Sequence, residues 1–155
     1  MIALGIDIGG SAIKAAQVDT SSGKISGERL RVPTPIPATP DAITAIIAGI
    51  CDQLEWQGEI GCGFPAATRE GKILTAANID PSWVDTNART LFTKATGCPV
   101  IIVNDADAAG LAEINFGAGR NCSGTTLMIT AGTGLGSALF HCGQLTPNTE
   151  LGHLS

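Results

Sequence analysis

The chain has 155 residues, of which 44% are hydrophobic and 15% charged, so it can bury the core of one domain and is not disordered throughout. Its formal net charge of −5 and its lack of tyrosine argue against a nucleic-acid partner. No segment approaches the roughly 20 apolar residues of a membrane span, and the first residues lack a signal-peptide pattern, so we expect a cytoplasmic protein with no membrane partner.

The first third of the sequence predicts an antiparallel meander that leads into a helix. The predicted strands cover residues 2–8, 12–18 and 24–32. Gly9 and Gly10 form the first turn of this meander. The four prolines within residues 33–40 indicate an extended connector. Thr39 is the expected N-cap of a helix that runs to about Leu54.

The rest of the sequence alternates apolar strands with helices, which indicates an α/β layered domain. The predicted strands cover residues 60–64, 72–74, 100–103, 125–130 and 137–141, and the predicted helices cover residues 86–96 and 105–115. In the first of these helices we expect Leu91, Phe92 and Ala95 to face inward and Gly97 to end the helix. The strand over residues 100–103 is continuously apolar, so we expect it to be buried on both faces.

The glycine turn after the first strand has the chemistry of an anion site. The backbone N–H groups at Gly9 and Gly10 can form a concave donor surface, and the Ser11 hydroxyl adds a donor. Asp7, at the end of the strand, can hold a hydrated Mg²⁺ beside phosphates. The spacing is not that of a Walker loop, and an ordinary glycine hairpin explains the same residues.

A second glycine turn follows the strand over residues 125–130 and contains Gly132, Thr133, Gly134 and Gly136. Its spacing differs from the dinucleotide pattern GxGxxG, and no helical pattern follows it. Taken alone, this turn is also explained as a tight hairpin. Two such turns, each after an apolar strand and each with a hydroxyl residue, favour a phosphate-binding site that has one turn on either side of the phosphates.

Asn104, Asp105 and Asp107 follow the strand over residues 100–103, at the strand end where α/β sheets place their ligands. A carboxylate at this place can take the proton of an attacking hydroxyl, as in phosphoryl transfer. In the structural alternative, Asp105 caps the helix that it precedes and Asp107 complements the helix dipole. The spacing leaves both interpretations open.

Glu150 and His153 form a polar pair that can bind sugar hydroxyls or a metal, with a solvated terminus as the alternative. The five cysteines are widely spaced and include no CxxC pair, so neither a zinc site nor a disulfide framework is predicted.

Taken together, these motifs resemble the ROK group of sugar kinases, within the actin-like ATPase superfamily, and among them the polyphosphate glucokinases. The matching segments are residues 5–14, 35–40, 75–83, 104–113, 132–137 and 147–153. The resemblance implies transfer of a phosphoryl group from polyphosphate, or from ATP, to the 6-hydroxyl of glucose, with Mg²⁺ and without zinc.

The resemblance also implies roles for individual residues. Asp105 matches the general base, and Asn104, Glu150 and His153 join it as sugar ligands. The phosphate-binding residues that it implies are Asp7, Gly9, Gly10, Ser11, Lys14, Gly132, Thr133, Gly134 and Gly136. Asn78 lies in the segment that matches the lining of the sugar pocket. The basic candidates for contact with an anionic polymer are Lys14, Arg69, Lys72 and Arg120.

The architecture implied is an actin-like (ribonuclease H-like) α/β lobe over residues 1–115 and the opening strands of a second, incomplete lobe over residues 116–155, in a homodimer. Few residues follow Phe140, so we expect the last hairpin to expose apolar surface.

Two alternatives to a complete kinase stay open. One is a non-catalytic sugar-binding half or fragment of such a kinase, and the other, against which Glu150 and His153 argue, is a different actin-like ATPase.

Overall fold

The computed structural model describes residues 1–131 and 134–153, with His153 described by its backbone alone. The strands are β1 (Ile2–Ile8), β2 (Ala12–Asp19), β3 (Lys24–Pro33), β4 (Ile60–Phe64), β5 (Thr68–Arg69), β6 (Lys72–Ile73), β7 (Val100–Asn104), β8 (Thr125–Ala131), β9 (Leu135–His141) and β10 (Gln144–Thr146). The helices are α1 (Pro40–Gln53), α2 (Ala88–Thr96) and α3 (Asp105–Phe116), with short 3-10 turns at Pro81–Trp83 and Leu151–His153. None of the helices that the structure describes is long and apolar enough to cross a membrane.

The main sheet has five strands in the order β3-β2-β1-β4-β7. β1 pairs antiparallel with β2 and β2 with β3, which confirms the predicted meander. β4 pairs parallel with both β1 and β7. The carboxyl ends of β1, β4 and β7 therefore meet at one edge of the sheet, and Asp7 and Asp105 both lie at this edge.

One face of the main sheet carries the core, because alternate residues along its strands are apolar. On β1, Leu4, Ile6 and Ile8 are buried, and they belong to the same cluster as Ile47 of α1 and Phe92 of α2. The other face of the sheet is left for α3 and for the groove described below.

Helix α2 and strand β7 differ from the expectations in three details. α2 begins later than predicted because Asn87 caps it, with its Oδ1 accepting the N–H of Thr90 at 2.9 Å. Ala95 is exposed, so its predicted inward position was wrong. Burial of β7 on both faces was also wrong, since Ile101 is 65% exposed. The reason is that Ile101 faces the groove instead of a covering layer, as does Gly61 on the neighbouring strand β4.

A second sheet, with the strand order β10-β9-β8, is antiparallel and packs on α3. The approach is close, because a Cβ added at Gly110 of α3 would lie 2.7 Å from Cε2 of Phe140. The sheet also exposes Leu127, Ile129 and Leu135, the apolar surface expected of this hairpin. The boundary between two lobes after residue 115 stays a prediction. β5 and β10 lie outside the predicted elements.

Candidate active site

Asn104 and Asp105, adjacent at the end of β7, have separate structural roles. Asn104 is the N-cap of α3, and its Oδ1 accepts the N–H of Asp107 at 3.0 Å. Asp105 is the first residue of the helix, and its Oδ1 accepts the N–H of Ala106 at 2.9 Å. The cap is therefore Asn104, and the structural alternative in which Asp105 caps the helix was wrong.

Asp105 lines a groove of about 910 Å³ between α3 and the outer face of the main sheet. Asp7 of β1 and Lys14 of β2 line the same groove. These two residues are cross-strand neighbours, and Lys14 Nζ lies 3.0 Å from Asp7 Oδ2. The start of α3 lies next to Gly63 of β4, where an added Cβ would be in ordinary van der Waals contact with the Cα of Asp105, at 3.5 Å. The fold thus brings Asp7, Lys14 and Asp105 together around one groove.

The groove makes Asp105 more basic than an ordinary aspartate. Burial is the largest cause that raises its pKa, and the negative charges of Asp7 and Asp107 raise it as well. The backbone N–H groups of Ala106 and of Asp105 itself lower the pKa, but the net shift is upward. A carboxylate with a raised pKa is a better proton acceptor for a sugar hydroxyl.

The first glycine turn borders a smaller cavity of about 130 Å³, whose lining includes Gly9, Gly10 and Asn78. Thr34 holds the turn, since its hydroxyl donates to Gly9 O at 2.6 Å and its N–H donates to Ser11 O at 3.2 Å. A Cβ on Gly9 would lie 2.9 Å from a backbone oxygen across the turn, whereas one on Gly10 would meet no atom within 4 Å. Gly9 is therefore required by the turn itself, and Gly10 leaves open space beside the cavity.

The buried amide of Asn104 joins the end of β7 to the segment that carries Glu150. Its Nδ2 donates to Glu150 Oε1 at 2.6 Å and to Ala66 O at 3.2 Å. Because its Oδ1 caps α3, both polar atoms of the Asn104 side chain are bound within the protein. The structure thus places two of the predicted sugar ligands, Asn104 and Glu150, in direct contact next to Asp105.

The second glycine turn is described only in part. Gly132 and Thr133 lie outside the described residues, as does the side chain of His153. Gly134 is exposed. A Cβ on Gly136 would lie 3.1 Å from a side-chain carbon at the start of α3, so this glycine lets β9 approach the helix closely. The phosphate-binding role of this turn stays a prediction.

The basic residues around the groove differ from the predicted set. Lys14 lines the groove as expected, and Arg29 and Arg31 of β3 line it too, although neither was predicted. Lys72 instead forms an ion pair with Asp85 at 2.8 Å. Strand pairing accounts for the difference, because β2 and β3 place Arg31 directly opposite Lys14.

Sequence reasoning missed the residues that hold the Glu150 segment. Ser137 is buried, and its Oγ donates to Thr149 O and accepts the N–H of Leu151 at 2.8 Å. Asn148 contacts β5 and α3 through bonds described below. A serine after a glycine turn and an asparagine before an acidic residue have many local explanations, so neither pattern predicts a distant partner.

Comparisons with known proteins identify the family to which the chain is similar. The model of the ROK family matches residues 3–155. Over 151 residues the chain is 49% identical to the polyphosphate glucokinase of Mycobacterium tuberculosis (strain CDC 1551 / Oshkosh). The aligned region covers 97% of this chain and 57% of that protein.

Two solved structures share the fold. The inorganic polyphosphate/ATP-glucomannokinase of Arthrobacter sp. strain KM matches with a TM-score of 0.95 and 46% identity, over 99% of this chain and 64% of that one. The ROK family glucokinase of Streptomyces griseus, solved in complex with glucose and AMPPNP, matches with a TM-score of 0.82 and 33% identity, over 99% of this chain and 50% of that one. The actin-like ATPase fold is thereby confirmed. The chain spans about half to two thirds of the length of these relatives.

Proposed function

The chain belongs to the ROK family, and we propose that it supplies the base and the sugar-binding residues of a glucokinase whose donor is polyphosphate or ATP. One observation carries the proposal: Asp105 lies in a groove with Asp7 and Lys14, next to the buried pair of Asn104 and Glu150. The name of the relative from Mycobacterium tuberculosis, polyphosphate glucokinase, supports the substrate class.

In the proposed reaction the Asp105 carboxylate takes the proton of the glucose 6-hydroxyl. At the same time the oxygen of that hydroxyl attacks the terminal phosphorus of the donor. The bond between that phosphorus and the bridging oxygen breaks, and the leaving phosphate chain keeps the electron pair. Proteins catalyse such transfers mainly by positioning groups and stabilising charge. The junction of β7 and α3 is suited to this, because it holds the base on two regular elements.

The sugar is oriented in this proposal by Asn104, Glu150 and His153, with Asn78 at the neighbouring cavity. The contact between Asn104 and Glu150 fixes the direction of the Glu150 carboxylate. The Glu150 carboxylate offers acceptor oxygens to sugar hydroxyls, while both N–H groups of Asn104 are used to hold Glu150 and the backbone of Ala66. Correct orientation of the 6-hydroxyl matters because small displacements of a reacting group reduce the rate strongly.

The donor is bound in this proposal by the glycine turns and by the cations of the groove. Gly9 and Gly10 offer backbone N–H groups beside open space. Lys14, Arg29 and Arg31 line the groove that leads to Asp105. A row of cations next to the base suits an extended polyanion, which supports polyphosphate as a donor beside ATP.

Mg²⁺ fits the residues present in the groove. This ion usually keeps several waters and binds through one or two carboxylates together with substrate phosphates. Asp7 is a half-exposed carboxylate lining the groove, so it would hold the ion through water. Within residues 1–131 and 134–153 no group of three or more His, Cys, Asp or Glu side chains could hold a metal by itself. When bound, Mg²⁺ would neutralise charge on the donor phosphates.

A cytoplasmic location and a homodimeric state complete the proposal. Cell fractionation tests the first of these, and sedimentation equilibrium of the purified protein tests the second.

The function is tested by measuring glucose 6-phosphate formation with glucose, Mg²⁺ and either polyphosphate or ATP. Asp105→Asn is expected to lower turnover by about 10²–10⁴-fold, because an amide cannot accept the proton, while glucose binding measured by calorimetry is retained. Asp52→Asn, on an exposed site of α1, is the matched control and is expected to change neither quantity.

Turnover that survives in Asp105→Asn would contradict the assignment of the base. Glucose binding without turnover in the unaltered protein would favour the non-catalytic sugar-binding half.

A further inference from the structure

The segment that carries Glu150 is tied by Asn148 to β5, which pairs with β6 in a short two-stranded sheet. The Oδ1 of Asn148 accepts the N–H of Thr68 at 2.8 Å, and its Nδ2 donates to Thr68 O at 3.0 Å. The side-chain amide thus pairs with the backbone of β5 as a neighbouring strand would. Two parallel bonds fix both the position and the orientation of the amide plane.

The backbone of Asn148 is held by a buried carboxylate. Its N–H donates to Asp107 Oδ2 at 2.8 Å, and Asp107 is only 2% exposed. Asp107 Oδ1 is also buried and has no hydrogen-bond partner within the part of the chain that the structure describes. Burial removes water from the carboxyl group of Asp107, and its hydrogen bonds within the protein replace that water only in part. Stabilisation of the fold alone therefore does not explain a carboxyl group at this position.

These bonds close a ring that includes two proposed sugar ligands. The N–H of Asp107 donates to Asn104 Oδ1, and Asp107 in turn accepts from Asn148. The N–H of Glu150 donates to Asn148 O at 3.0 Å, and Glu150 Oε1 accepts from Asn104 at 2.6 Å. Every member of the ring is therefore bonded to the two beside it.

The backbone of Asn148 adds a second constraint. Its φ is +58°, in the left-handed region that asparagine adopts more readily than most residues. This turn directs the chain from the end of β10 back towards β7. The residue type at this position therefore serves both the turn and the contacts with Thr68.

We propose that Asp107, Asn148 and the backbone of Thr68 form a clamp that positions Glu150 against Asn104 for sugar binding. The inference rests on the proposed function. Asp107 and Asn148 are positioning residues in this scheme, since they act on the sugar through Glu150 and Asn104. Neither residue was assigned such a role from the sequence.

The variants separate the contacts of the clamp from the shape of the turn. Asn148→Gly keeps the left-handed backbone accessible but removes both bonds to Thr68, and Asn148→Ala disturbs the turn as well. Asp107→Asn keeps an acceptor oxygen for the N–H of Asn148, whereas Asp107→Ala removes it. Asn121→Gly is the matched control, because Asn121 is exposed and also has a positive φ, of +68°.

The measurements, all on the purified protein, are the KM for glucose, kcat, and hydrogen exchange of the peptides that contain Thr68 and residues 147–151. Asn148→Gly, Asn148→Ala and Asp107→Ala are expected to raise the KM by about tenfold or more, with faster exchange in these peptides. Asp107→Asn is expected to stay within about threefold of the unaltered KM, because the bond to Asn148 is kept. Asn121→Gly is expected to change nothing.

Faster exchange with an unchanged KM would overturn the clamp, and so would unchanged exchange in Asn148→Gly. If the unaltered protein phosphorylates no sugar, the proposed function fails. The clamp is then tested by hydrogen exchange alone. Faster exchange that is confined to the residues of the ring in the variants would support it, and unchanged exchange would contradict it.

Discussion

Two adjacent residues at the end of β7 divide tasks that a single aspartate would combine poorly. A carboxylate that caps a helix accepts backbone N–H groups, and these bonds lower its pKa. Asn104 takes the cap of α3, and Asp105 has a raised pKa because it is buried in the groove, although it still accepts the N–H of Ala106. The order Asn-Asp therefore keeps the proposed base basic while the helix start stays capped.

The charge of Asp7 is expected to contribute measurably to the titration of Asp105. In the unaltered protein the Asp105 carboxyl carbon should titrate above 3.8 in a ¹³C NMR experiment. Asp7→Asn is expected to move this midpoint to lower pH, because it removes a negative charge that raises the pKa. Asp52→Asn serves as the control, and a midpoint that Asp7→Asn leaves in place would show that the two carboxylates do not interact.

The same shift has a defined sign for stability. The pKa of Asp105 is higher in the folded than in the unfolded chain, so its protonated form favours folding. This contribution is fully present below the unfolded pKa of about 3.9 and is lost as the pH rises through the folded pKa.

At the scale of single elements, β7 shows that an apolar run does not by itself indicate burial on both faces of a strand. Four consecutive apolar residues would suit a strand covered on both faces. In the fold, Ile102 faces the core and is 7% exposed, while Ile101 faces the groove. Position in the sheet, and not composition, decides which of the two isoleucines is buried.

This difference predicts unequal costs for the same substitution. Ile102→Ala is expected to lower the free energy of unfolding by about 2–5 kcal/mol, because it leaves a cavity in the core. Ile101→Ala is expected to cost less than about 1 kcal/mol, since little apolar area is lost from the interior. Urea denaturation of both variants measures this, and equal costs would mean that the outer face of β7 is covered in solution.

At the scale of the whole molecule, α3 joins the five-stranded main sheet to the three-stranded sheet of β8, β9 and β10. One side of the helix lies over β4, where Asp105 is next to Gly63. The other side meets β9, where Gly110 leaves room for Phe140 and Ala138. A helix interior normally disfavours glycine, so Gly110 is explained by this close approach.

Two glycines inside helices are therefore expected to respond to alanine with opposite signs. Gly110→Ala would place a Cβ within 2.9 Å of three buried side-chain carbons, and we expect a loss of about 1–3 kcal/mol in the free energy of unfolding. Gly49→Ala in α1 meets no atom within 4 Å, so its better helix propensity should stabilise by about 0.5–1 kcal/mol. Thermal unfolding of both variants measures the signs, and a stabilising Gly110→Ala would contradict the contact between α3 and β9.

The sequence by itself determined the local elements and the groups that carry chemistry. Thr39 caps α1 as predicted, Gly97 ends α2 in a left-handed conformation, and the strands of the meander lie where the apolar runs placed them. Such features follow from bonds and steric preferences within a few residues. The motifs around Asp105 and Glu150 carried the resemblance for the same reason, because each is a short run of characteristic residues.

Only the tertiary structure decided which distant groups meet. Glu150 bonds to Asn104 across 46 positions, and Asn148 bonds to Thr68 across 80. It also decided that Ile101 is exposed and that Arg31 lies opposite Lys14 beside the groove. These relations depend on sheet order, register and the placement of α3 between two sheets, and no local pattern of residues encodes them.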